Sequence, residues 1–111
     1  MKKSGQRKTL STEKLDQLIE EATVDAYDES EQATGFFTML EENLVVPFQT
    51  VILGVEVNVE QVELTGANHL VAVCTRGKSR QRISLLDMPL PDPPPKGHEW
   101  INAYRRWAST R

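Results

Sequence analysis

Two stretches near the N-terminus repeat their hydrophobic positions with the period of an α-helix. The first stretch is apolar at positions i, i+3, i+4 and i+7: Leu15, Leu18, Ile19 and Ala22. Ser11 or Thr12 stands before it as an N-cap candidate. The second stretch repeats the pattern at Ala33, Phe36, Phe37, Leu40 and Leu44. We therefore predict two consecutive helices in residues 11–44.

Local signals mark the ends of the second helix. Asp28 and Glu31 have the spacing of a capping box, with Asp in the role usually taken by Ser or Thr. Asn43 and Pro47 are typical of a helix end. Gly35 lies inside the pattern and costs about 1 kcal/mol relative to Ala, so it weakens the prediction of an unbroken helix.

From Phe48 onward the hydrophobic period changes to two, which is typical of β-strands. Four short strands are predicted, at residues 48–53, 55–64, 69–75 and 79–86. The valines of the second strand change parity after Val59, and a β-bulge near Glu60–Gln61 would repair that slip and bend the strand. Short, bent strands favour a small antiparallel β-barrel of the Src-homology-3-like kind over a flat sheet.

The remaining segments complete an α+β prediction. MPLPDPPPKG is expected to run over the surface in extended form, and HEWINAYRRWA is expected to form a short helix that closes one end of the barrel. At 111 residues the chain predicts a single domain, residues 11–111, preceded by a flexible basic arm at residues 1–10. The N-terminal helical pair would pack on the barrel.

The net charge of −3 conceals a strong asymmetry along the chain. Residues 1–10 carry +4, residues 11–42 carry −9, and residues 43–111 carry +2. No apolar run approaches the roughly 20 residues of a membrane span, and the basic start lacks the apolar region of a secretory signal. The lone Cys74 rules out an internal disulfide and fits a reducing cytoplasm, so a cytoplasmic protein is expected.

The chain lacks the short motifs of common enzymes. There is no nucleophile elbow, no phosphate-binding glycine loop and no zinc-protease helix, and no nucleophile–base pair is visible, so we do not expect an enzyme. The potential transition-metal ligands His69, Cys74 and His98 are scattered along the chain, so a transition-metal site is not expected. Cys74 lies in an apolar strand and is expected to be a small core residue.

Acidic residues without counter-charge are the informative feature, because hard cations take oxygen ligands. An EF-hand does not fit: Ser30 stands where the loop needs Gly, and Phe36 stands where it needs Glu. If the two helices form an antiparallel hairpin, carboxylates collect at both ends. The turn would hold Asp25, Asp28, Glu29 and Glu31, and the other end would bring Glu41 and Glu42 towards Glu13 and Asp16. The alternative is a merely solvated acidic helix surface.

A basic hairpin supplies a second hypothesis. Arg76, Lys78, Arg80 and Arg82 fall around the turn between the last two predicted strands. They could bind a protein, a nucleic acid or phosphate, or pair with the acidic helices. The acidic overall balance argues against nucleic acid as the main partner.

Several segments in order resemble a known family. EEATVDAYDESEQATGFFTMLEENLVVPF, VILGVEVNV, AVCTRGKSRQRISLLDMPLPDPPP and EWINAYRRW resemble the bacterial calcium-binding protein family typified by the cyanobacterial calcium-binding protein. The resemblance covers roughly residues 13–107. It implies a small, non-catalytic protein that binds Ca²⁺ through surface carboxylates outside an EF-hand and acts as a cytosolic buffer or sensor. The alternative is an interaction module that binds a partner through the 76–82 hairpin.

Overall fold

The computed structural model describes residues 11–110, which form three helices and one antiparallel sheet. In chain order the elements are α1 (Thr12–Thr23), α2 (Glu29–Asn43), β1 (Phe48–Ile52), β2 (Val55–Leu64), β3 (Leu70–Arg76), β4 (Ser79–Ser84) and α3 (Glu99–Ser109). The α+β class is therefore confirmed. The predicted basic arm, residues 1–10, lies outside the described residues. Within residues 11–110, no helix has the length and apolar character needed to cross a membrane.

The two N-terminal helices begin where the sequence predicts. The Ser11 hydroxyl oxygen accepts a hydrogen bond from the Lys14 N–H at 3.0 Å, which makes Ser11 the N-cap of α1. Helix α2 runs unbroken through Gly35, although the low helix propensity of glycine weakens the prediction of a continuous helix. A Cβ at this position would overlap the carbonyl oxygen of Ala22. At Gly35, α1 and α2 therefore approach each other closely enough to exclude a side chain.

The sheet is a meander in the order β1–β2–β3–β4, and two tight hairpins set its register. Leu53 and Gly54, with φ of 51° and 79°, link β1 to β2. Positive φ at both positions is typical of a type I′ hairpin turn. In β2 the register against β3 shifts between Val59 and Gln61, which confirms the predicted bulge.

The prediction of a closed barrel is wrong. Among the described strands, β1 and β4 are the two outer strands and do not pair with each other, and the Src-homology-3-like assignment is not confirmed. The proline-rich segment lies beside β1 instead, where the Thr50 hydroxyl donates to the Pro89 carbonyl at 2.6 Å. Proline has no N–H and cannot extend the ladder. Helices bury one face of the sheet, so closure is not needed to form a core.

That core joins the helices to one face of the sheet. Phe36, Tyr104 and Trp107 meet with ring centroids 5.2–5.9 Å apart. Beneath them lie residues of the two central strands, including Val59 and Cys74. Cys74 is 4% exposed, as expected of a core residue, and burial raises the pKa of its thiol.

Helix α3 packs against α1 and α2 and is not the lid of a barrel. It also completes the hydrogen bonding at the start of β3. The Tyr104 hydroxyl accepts the Leu70 N–H at 3.1 Å. The Arg105 guanidinium donates to the carbonyls of Leu85 and Met88, and burial lowers its pKa. These bonds fix the chain as it leaves β4.

Candidate functional site

The turn between α1 and α2 forms a shallow cleft of about 360 Å³. Two of the four acidic residues predicted for this turn, Asp25 and Glu31, line the cleft, together with the hydroxyl residues Ser30 and Thr34. The closely packed pair Ala22 and Gly35 also lines it. The cleft is thus built on the point where the two helices touch.

Asp25 adopts a left-handed backbone conformation two residues after the end of α1. Its φ is 61°, a region that Asp and Asn enter more readily than most other residues. The chain turns here through a hydrogen bond from the Ala26 N–H to the Thr23 carbonyl at 3.0 Å. This tight turn holds Asp25 beside the C-terminal end of α1.

Two carboxylates at the turn cap α2, as the capping-box spacing predicts. Asp28 is the N-cap and accepts the Glu31 N–H at 2.8 Å. Glu31 reaches back and accepts the N–H of Tyr27 at 2.6 Å, one residue before the expected Asp28 N–H. Each of these bonds uses one oxygen of its carboxylate. Asp28 and Glu31 are therefore partly committed to holding the helix.

Both N-terminal helices end with acidic residues and with no basic residue in the last turn. Glu20 and Glu21 occupy the last turn of α1, and Glu41 and Glu42 that of α2. Negative charge at the negative end of a helix dipole is unfavourable by about 0.3–1 kcal/mol per charge. A bound cation would offset this cost. Glu20 and Glu21 are not among the ligands predicted from the sequence, and the acidic excess of residues 11–42 is the signal that includes them.

The donor chemistry of the cleft fits a hard cation. Its polar side chains supply only oxygen, from two carboxylates and two hydroxyls, and that set suits Ca²⁺ better than a transition metal. Within residues 11–110, no three Asp, Glu, His or Cys side chains are grouped closely enough to hold a metal ion together. A cation in the cleft would therefore depend on main-chain carbonyls and water for its remaining ligands.

Residues of the second predicted cluster contact elements other than the α1–α2 pair. Glu41 lines a separate groove of about 320 Å³ between α2 and β2, together with Gln61 and Glu63. Asp16, which was expected near Glu41 and Glu42, forms an ion pair with Arg106 of α3 at 2.8 Å. Helix α3 thus supplies a counter-charge that the pattern of α1 and α2 alone does not predict.

One arginine of the basic hairpin forms an ion pair with an acidic residue of the same sheet. The Arg82 Nε donates to Glu63 of β2 at 2.8 Å, so this arginine does not pair with the acidic helices. The bond from Arg82, and then one from Gln61, lowers the pKa of Glu63. Arg76, Lys78 and Arg80 are exposed.

The capping role of Asp28 predicts a specific stability change. Asp28→Ala should lower the free energy of unfolding by about 1 kcal/mol, because the Glu31 N–H loses its acceptor. Asp28→Asn should keep nearly all of the stability, because Asn caps a helix as well as Asp does. Urea unfolding followed by circular dichroism measures both. Equal loss in the two variants would show that charge, and not the cap bond, is what Asp28 contributes.

Comparison with known proteins adds two findings. A family model described as calcium binding matches residues 16–108. A solved structure titled "Calcium binding protein in the calcium-binding form" superposes with a TM-score of 0.70 and 18% sequence identity, covering 91% of this chain and 97% of the other. That likeness concerns the fold. A search of curated proteins found no match.

Proposed function

Since this chain belongs to the calcium-binding family whose model matches residues 16–108, we propose that it is a non-catalytic protein that binds Ca²⁺ in the cleft between α1 and α2. The family match over most of the chain is the observation that carries the proposal. The oxygen-only cleft gives it a place on the molecule.

The proposed carboxylate ligands fall into two groups. Asp25 and Glu31 are the principal carboxylate ligands, because both line the cleft. Asp28 and Glu29 sit at the start of α2 and complete the acidic set of the turn. The C-terminal end of α1 is the cation-favouring side, since its carbonyls and its dipole are negative there. The N-terminus of α2 carries the opposite partial charge and opposes a cation.

Affinity should be modest. Calcium sites gain affinity with the number of charged ligands and with rigidity, and two carboxylates lining a surface cleft are few. Glu41 and Glu42 are proposed as a weaker second site, supported by their position at the negative end of α2. Because the start of α2 is already capped without the ion, Ca²⁺ binding need not reorganise the turn. We therefore infer a buffer in preference to a sensor.

The decisive variant removes charge from the cleft without removing bulk. Asp25→Asn with Glu31→Gln should weaken Ca²⁺ binding at least about tenfold, because both carboxylates lose their charge while Gln can still cap α2. Isothermal titration of the metal-free protein with Ca²⁺, with Mg²⁺ as competitor, measures the effect. Absence of saturable heat from the unmutated protein would overturn the proposed function.

A matched control separates a local site from a diffuse field. Glu13→Gln with Glu56→Gln removes the same charge from exposed positions outside the cleft. We expect little change in Ca²⁺ affinity, because these exposed charges do not line the cleft and salt screens their effect on it. An equal loss in both double variants would mean that general negative potential, and not the cleft, attracts the ion. Arg80→Ala should leave Ca²⁺ binding unchanged, which separates this function from binding through the 76–82 hairpin.

A further inference from the structure

Strand β4 is an outer strand, and the register with β3 determines which of its backbone N–H and C=O groups point away from the sheet. The Leu85 N–H donates to the Leu70 carbonyl at 3.0 Å, just beyond the last pair of the β3–β4 ladder. In an antiparallel ladder the hydrogen-bonded pairs alternate with non-bonded pairs. Ile83 and Gln81 therefore bond to β3, whereas the N–H and C=O groups of Arg80 and Arg82 point away from it. Among the described strands, none lies beyond β4.

An apolar groove borders the same strand on the face that the helices bury elsewhere. It measures about 280 Å³ and is lined by Ile52, Val55, Val57, Cys74, Gln81 and Ile83, among others. The helices cover the part of this face around Leu70 and Ala72, which are fully buried, but they leave the hairpin end open. Leu53, at the rim, is 98% exposed. Of the described residues that line the groove, none is acidic, and Arg76 is the one with a charge.

The opposite face of β4 is basic. Arg80 and Arg82 alternate with Gln81 and Ile83 along the strand, so their side chains lie on the face away from the groove. Two of the three outward-pointing backbone positions of β4, Arg80 and Arg82 but not Ser84, thus carry a cationic side chain on one face of the sheet, and that of Arg82 pairs with Glu63. The neighbouring positions, Gln81 and Ile83, border the apolar groove on the other face of the sheet.

We propose that β4 binds an extended peptide segment in which acidic and apolar residues alternate, by adding it to the sheet as a further strand. Peptide residues opposite Arg80 and Arg82 would exchange main-chain hydrogen bonds with them and place their carboxylates on the basic face, where Arg80 is the principal cationic partner because Arg82 already pairs with Glu63 of β2. The intervening peptide residues would place apolar side chains along the groove beside Gln81 and Ile83. The repeat that fits is apolar–acidic–apolar–acidic–apolar.

Two other occupants fit less well. A second copy pairing β4 with β4 would set Arg80 and Arg82 against the same arginines, and like charges directly opposite each other are unfavourable. A single-stranded nucleic acid could accept from the outward N–H groups through its phosphates, but those phosphates have no donor for the outward carbonyls. It would also find no aromatic side chain for base stacking among the described lining residues of the groove.

Fluorescence polarisation with a labelled peptide that alternates Val and Glu tests the proposal. The control peptide has the same composition with all Val before all Glu, and a single-stranded oligothymidylate tests the nucleic-acid alternative. We expect the alternating peptide to bind at least about tenfold more tightly than the block peptide, because only alternation satisfies both faces. Equal binding of the two peptides, or tighter binding of the oligonucleotide, would overturn the proposal.

Two variants at one position isolate the backbone. Arg80→Ala removes the guanidinium, whereas Arg80→Pro removes both the guanidinium and the outward N–H, and proline is tolerated where an edge N–H faces solvent. Arg80→Pro should bind the alternating peptide up to about tenfold more weakly than Arg80→Ala, the range of one net hydrogen bond. Equal affinities would refute strand addition and leave only charge attraction.

Amide hydrogen exchange on the unmutated protein gives an independent readout if Arg80→Pro does not fold. The bound peptide should slow exchange of the Arg80 and Arg82 amides, whose N–H groups become hydrogen-bonded. Unchanged exchange at saturating peptide would contradict the proposal. All measurements run with and without Ca²⁺, since this surface does not depend on the calcium proposal.

Discussion

Gly35→Ala is expected to lower the free energy of unfolding by about 1–2 kcal/mol, although Ala is the better helix former. The added Cβ would overlap the carbonyl oxygen of Ala22 in α1. That oxygen belongs to a helix backbone and cannot rotate away as a side chain could, so the two helices must separate. Overpacking of this kind costs about 1–3 kcal/mol or more, which exceeds the roughly 1 kcal/mol gained in helix propensity.

Thermal or urea unfolding followed by circular dichroism measures the Gly35 effect. Gly66→Ala is the matched control, because a Cβ at Gly66 meets no atom within 4 Å. We expect the control to lie within about 0.5 kcal/mol of the unmutated protein, as for most surface changes. A Gly35→Ala protein at least as stable as the control would show that the helices can move apart freely.

The same substitution bears on calcium. Ala22 and Gly35 both line the cleft between α1 and α2, so separating the helices moves the carbonyl end of α1 relative to Glu31. The folded Gly35→Ala protein should therefore bind Ca²⁺ more weakly, with all carboxylates still present. The proposed site thus depends on helix packing as well as on charge.

Gly35 also shows where sequence reasoning about the fold stops. Helix propensity treats glycine as a local weakness, and on that ground the pattern predicts a doubtful helix. In the structure the same glycine permits a close contact between helices that are separated by a short turn. Strand positions, caps and the bulge follow from local patterns, because period, capping and turn geometry are local. Barrel closure is not local: whether β1 meets β4 depends on how much of the sheet the helices cover.

The candidate site likewise has features that local sequence patterns predict and features that they do not. The spacing of Asp28 and Glu31 is enough to predict a capped helix start: the Asp28 cap bond is present, and Glu31 reaches back to the N–H of Tyr27, one residue before the expected donor. Which carboxylates share a cleft is not set by spacing. Asp25 reaches the cleft through a left-handed turn, and Asp16 is paired with an arginine 90 residues later in the chain. Neither the backbone turn nor the docking of α3 has a short-range sequence signal.

Gly97→Ala is expected to be the most destabilising glycine substitution, by about 4 kcal/mol. Gly97 has a φ of 91°, which is unfavourable for Ala by about 1–3 kcal/mol. Its Cβ would also overlap the Asn43 carbonyl and approach the Leu44 Cα at 2.7 Å. Gly97 lies where the end of α2 meets the start of α3: the Val45 N–H donates to the Lys96 carbonyl at 2.9 Å, and the Trp100 N–H to the Gly97 carbonyl at 3.1 Å.

Gly54→Ala separates the two costs at Gly97. Gly54 also has a positive φ, 79°, but a Cβ there meets no atom within 4 Å, so its substitution carries backbone strain alone. We expect Gly54→Ala to cost about 1 kcal/mol, and the difference between the two variants in urea unfolding measures the overlap at Asn43 and Leu44. If both variants lose equal stability, the contact between the end of α2 and Gly97 is not tight. The start of α3 would then be free to shift, although its aromatic residues Tyr104 and Trp107 pack against Phe36.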